Sequence, residues 1–177
     1  MTLQVPESVT FEDAIALTQS FLNNLSAGEL NEQEIQTIVT SLVKTENGAR
    51  GFFVTYLTDD RTLADNPSTG IIEALKSSPE IVDELLVKNL AMSSAMAIAH
   101  RRNNDEESAK GSDSVRQRTA NLIKQLQSDL MANKLKELSK SAATGEGEYQ
   151  AFLKRWGYDE EQKKVIQKAI SDVLTTI

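Results

Sequence analysis

From residue 10 onward, apolar residues recur at intervals of three and four, interrupted by short polar breaks that carry helix-ending residues. Thr10 stands where an N-cap belongs, with Glu12 and Asp13 behind it in the turn where the helix dipole favours anions. Phe11, Ile15, Leu22 and Leu25 keep helical spacing until Gly28. Asn31 with Glu34 three residues on is a capping-box variant. Ile35, Ile38, Val39, Leu42 and Val43 then line one face of a second helix.

The run Phe52-Phe53-Val54-Thr55-Tyr56-Leu57 has β propensity, yet no second β-like run exists to pair with it. A helix from about Asn47 to Thr58 is therefore expected. Asn66-Pro67 and Ser78-Pro79 each place a cap residue before a proline at the first helical position. The first opens a short helix through Ile71, Ile72 and Leu75. The second opens a long one, from Pro79 to about Arg102. Its apolar residues, from Ile81 to Ile98, spread around most of the wheel, which marks a buried centre. Its alanines and serines between Ala91 and Ala99 allow close approach of neighbours.

Asn103 to Ser114 reads NNDEESAKGSDS, with no large apolar residue. The expectation is a mobile loop or sub-domain boundary at 103–114, with helix resuming at Val115. Leu122, Ile123, Leu126 and Leu130 share one face, whereas Met131, Leu135 and Leu138 point elsewhere, so the helix bends or restarts near Ser128-Asp129. After Gly145 and Gly147, Tyr149, Phe152, Leu153 and Trp156 form a core stripe ended by Gly157. Asp159 and Gln162 form another capping box, and Val165, Ile166, Ala169, Ile170, Val173, Leu174 and Ile177 complete a last helix. The expected fold is all-α: a compact bundle of about six to eight helices around the Pro79–Arg102 helix, in a single domain over 1–177.

Composition narrows the chemistry more than the fold. A chain of 177 residues buries a core without staples, and 40% hydrophobic with 25% charged residues is a globular balance. The absence of cysteine excludes thiol chemistry and cysteine metal sites. No basic residue precedes Lys44, so neither a secretory signal nor a transit peptide is read, and a cytoplasmic location is expected. Lys88 and Asn89 interrupt the most apolar window, Leu85 to Ala99, which falls short of a membrane span.

The net charge of −7 is uneven. Residues 1–103 hold 7 basic against 14 acidic side chains, and residues 104–177 hold 12 of each. His100, the single histidine, opens a His100-Arg101-Arg102 cluster at the end of the long helix. Cations there offset the helix dipole and cap it. Joined to Arg116 and Arg118, the same residues make a candidate anion or partner site. No second histidine exists and position 97 is alanine, so a di-metal bundle site is excluded and no metal or cofactor is expected. The acidic clusters at Asp59–Asp65 and Asp105–Asp113 lack the glycine and terminal glutamate of a calcium loop. Gln150 to Leu174, hinged at Trp156-Gly157-Tyr158, has the outline of a helix-turn-helix, but the acidic net charge opposes DNA. The expected function is a non-enzymatic helical protein-interaction or regulatory module that self-associates or meets a protein partner. Binding of phosphate-bearing ligands or RNA through the arginines is the alternative, and an unrecognised enzyme stands third.

Overall fold

The computed structural model describes residues 3–177, which are all-helical with no strand among them. Their helices are α1 (Phe11–Ser26), α2 (Glu32–Val43), α3 (Glu46–Tyr56), α4 (Thr69–Leu75), α5 (Pro79–Arg102), α6 (Glu106–Leu126), α7 (Asp129–Thr144), α8 (Gln150–Trp156) and α9 (Glu160–Leu174), with a 3₁₀ turn at Thr62–Ala64. Packing divides the chain into two units, Met1–Leu85 and Leu86–Ile177, with the division inside α5.

In the first unit α1 packs on α3, and α2 packs on α3 and α4. The caps read from sequence form here: the Thr10 hydroxyl accepts from the Asp13 N–H, and Asn31 and Glu34 cap reciprocally. The β-prone run lies within or just beyond α3, and packing explains why. On a helix Phe52 and Tyr56 come one above the other, stacked with ring centres 5.0 Å apart, while Phe53 meets Phe52 edge-on at 5.3 Å. Burying three aromatic rings outweighs an intrinsic preference that spans only about 1 kcal/mol. Gly51 lets the α3 backbone come against Ala14 of α1, so closely that a methyl group there would sit 2.4 Å from the Ala14 Cβ. Asn66-Pro67 precedes α4 without capping it. Ser68 takes that role, and Glu32 of α2 accepts the Gly70 N–H at 2.6 Å.

The α5 helix is buried nearly all round: between Ile81 and His100 only Met96 is exposed. Its buried Ser93 and Ser94 hydroxyls donate back to the carbonyls of Asn89 and Leu90, both at 2.7 Å, so they enter the core without an unmet donor. The expected loop at 103–114 shrinks to a tight turn, because α6 already begins at Glu106. Asn104 takes a left-handed φ of 58°, and the Asp105 carboxylate then caps the Ser108 N–H at 3.1 Å. The polar run is the solvated opening of a helix, with Ala109 as its one buried residue up to Ser114.

In the second unit α7 packs against α8 and α9, and α6 meets α9. Helix restarts after Leu126: Gln127 is left-handed and Ser128 caps α7. Asp159 and Gln162 form the capping box of α9, and the Gln162 amide also donates to the Ala95 carbonyl of α5 at 3.2 Å.

Candidate functional site

The end of α5 carries the cluster singled out from sequence, and each arginine there meets a carboxylate or is withdrawn from solvent. Arg101 donates to Glu106 at 3.1 and 3.2 Å and to Asp113 at 2.8 Å. Arg102 reaches Asp159 at 2.6 Å and Glu161 at 3.3 Å. Arg116 lies 3.8 Å from the other oxygen of Asp113. Arg118 is only 9% exposed and so stands apart from the surface cluster. His100 is half-buried, and its carbonyl accepts the Asp105 N–H at 2.9 Å as the chain turns. Hydrogen bonds donated to the carboxylates hold the Arg101 and Arg102 guanidinium groups above their ordinary pKa, and Arg102 in turn holds Asp159 below the usual carboxylate range. The arginines thus join the ends of α5, α6 and α9. A phosphate arriving here must displace four carboxylates of the same chain.

A second feature was not visible in the sequence reading. Where α7, α8 and α9 converge, a cleft of about 310 Å³ is lined by Ser141, Gln150, Lys154, Gly157, Tyr158 and Lys163, among others. The chain turns sharply between the elements that build it: Gly145 ends α7, and Gly157, with φ of 65°, ends the short α8 and returns the chain into α9. That left-handed turn places Tyr158 inward, 8% exposed and edge-on to Phe152 with ring centres 6.3 Å apart. Burial pushes its phenol up to about 12. Ser141 is fully buried and its oxygen accepts the Tyr149 N–H at 3.1 Å. No acidic residue lines the cleft. The only signal of it in the sequence was Lys154-Arg155 followed by a glycine and a tyrosine, which is too weak to mark a site.

The stripe on α8 is divided. Tyr149 and Leu153 are buried and Phe152 is half-buried, but Trp156 is 48% exposed, with the Arg155 guanidinium 5.8 Å from its ring centre. Helical spacing puts Trp156 on the inward face, yet α8 ends beside it and the chain turns away at Gly157. Among the described residues, no three His, Cys, Asp or Glu side chains gather to hold a metal ion, and no helix is long and apolar enough to cross a membrane.

The chain belongs to the family described as Uncharacterised conserved protein UCP020893, whose model matches residues 10–173. The match runs from the N-cap of α1 to the last turn of α9 and so takes in both units. No curated protein and no solved structure matches the chain.

Proposed function

We propose that the protein is a non-enzymatic helical interaction module that self-associates through α8. The observation that carries this reading is the half-exposed Trp156 with Arg155 across its ring. Tryptophan and arginine are among the residue types most enriched as anchors of protein interfaces, because a rigid ring buries much area at little entropic cost and a planar cation stacks on it. The charge of the two units names the occupant. Met1–Leu85 carries 4 basic against 14 acidic residues, and Leu86–Ile177 carries 15 basic against 12 acidic. A second copy therefore offers an acidic surface of net −10 to a basic unit whose α8 displays Lys154 and Arg155 around an apolar ring. Complementary charge of this kind steers encounter, and the buried ring supplies the affinity.

Analytical ultracentrifugation across a concentration series tests the proposal. Association that weakens in Trp156→Ala, with the far-ultraviolet circular dichroism unchanged, is the expected result. A monomer at every concentration, or a Trp156→Ala variant that associates as the wild type does, refutes it. The reading of phosphate or RNA recognition through Arg101, Arg102, Arg116 and Arg118 stands second, since the first three are held by Glu106, Asp113, Asp159 and Glu161 and Arg118 is withdrawn from solvent.

A further inference from the structure

We infer that the cleft between α7, α8 and α9 is a binding site for a small phosphate-bearing molecule. Its donors come from α8, α9 and the turn between them. Lys154 of α8 makes no ion pair among the described residues. Lys163 of α9 has only Glu160 at 3.9 Å, and that carboxylate is 85% exposed. Two lysines therefore line one cleft whose lining includes no acidic residue, on a protein of net charge −7. The interior wall adds a neutral donor. The Tyr158 ring is buried but its hydroxyl is not, and that hydroxyl has no protein partner among the described residues, so it is open to the cleft, whereas Ser141 is fully buried behind the wall.

The ligand class follows from this donor set. Two cations and a hydroxyl match a group of net charge near −2 with three acceptor oxygens, which is a phosphate monoester. A cleft of about 310 Å³ admits a small molecule and not a polymer. Lysine binds phosphate as a point charge and needs no forked geometry, so it serves here where arginine is absent from the lining. The inference does not rest on association through Trp156; Lys154 borders both surfaces, and Tyr158→Phe is the variant that alters the cleft alone.

The test is calorimetric titration of the full chain with inorganic phosphate, chloride being adjusted to hold ionic strength constant. Emission of Trp156, the sole tryptophan and the neighbour of Gly157, gives a second readout. The expected result is a saturable isotherm that weakens roughly tenfold or more in Lys154→Gln, the loss typical of one charge-assisted hydrogen bond. Tyr158→Phe, which keeps the ring packed on Phe152, weakens it severalfold, and Arg101→Gln with Arg116→Gln leaves it unchanged. Three outcomes overturn the inference: no saturation up to about 10 mM phosphate, a response that survives Lys154→Gln but is lost with the arginines, or saturation by succinate without any by phosphate.

Discussion

Replacing Gly51 by alanine puts a methyl group where the backbones of α1 and α3 touch. The new Cβ lies 2.4 Å from the Ala14 Cβ and 2.9 Å from the Phe11 carbonyl oxygen. Carbon atoms rest at about 3.5–4.0 Å, so the helices must part by roughly 1 Å. Neither obstacle is the far end of a flexible side chain, and Ala14 is fully buried, so nothing local yields. Overpacking of this sort costs about 1–3 kcal/mol, and here the upper end applies because the Phe21 and Phe52 contacts across the same helix pair loosen too. Alanine returns about 1 kcal/mol of helix propensity, which leaves a net loss near 2 kcal/mol. Gly111 supplies the internal control. It sits exposed within α6, with nothing within 4 Å of a Cβ built there, so Gly111→Ala stabilises by up to about 1 kcal/mol. Urea unfolding followed by circular dichroism reads both values. A Gly51→Ala variant as stable as the wild type would falsify the close approach of α1 and α3.

Leu86, fully buried on α5, tests whether that helix is central: Leu86→Asp places a carboxylate in the core and costs several kcal/mol, visible as lost helicity or a collapsed melting temperature. Wild-type melting in that variant would remove α5 from the core. Tyr158 makes stability depend on alkaline pH. Its phenol is held neutral in the fold up to about 12, whereas the unfolded phenol ionises near 10. Its contribution is therefore complete below pH 10 and is lost as pH rises from about 10 toward 12. Ultraviolet absorbance titration should show a late-ionising phenol absorbance that falls by one tyrosine in Tyr158→Phe, and a late component that Tyr158→Phe leaves unchanged would contradict the burial.

Much of the fold was legible in the chain because helices are specified locally. A cap side chain reaches a backbone N–H three residues on, and an apolar stripe recurs within a few turns. Thr10, the Asn31–Glu34 and Asp159–Gln162 boxes, Gly157 and the all-round apolar character of Pro79–Arg102 each carry their meaning within one element. The polar run at 103–114 misled for a related reason. Absence of large apolar residues resembles a loop, but Asp105 and the acidic residues after it are enough to open a helix whose first turns face water.

The candidate sites were decided at longer range. Arg102 meets Asp159 across 57 residues, so no local pattern shows that its charge is already matched. Spacing placed Trp156 on an inward face, but only the end of α8 and the turn at Gly157 leave it exposed. Ser141, Lys154 and Lys163 share one cleft because α7, α8 and α9 converge there, and none of the three belongs to a motif. Local interactions write helices and caps into the sequence, while a site is a meeting of side chains from separate elements. That meeting exists only once burial has chosen which helices lie side by side.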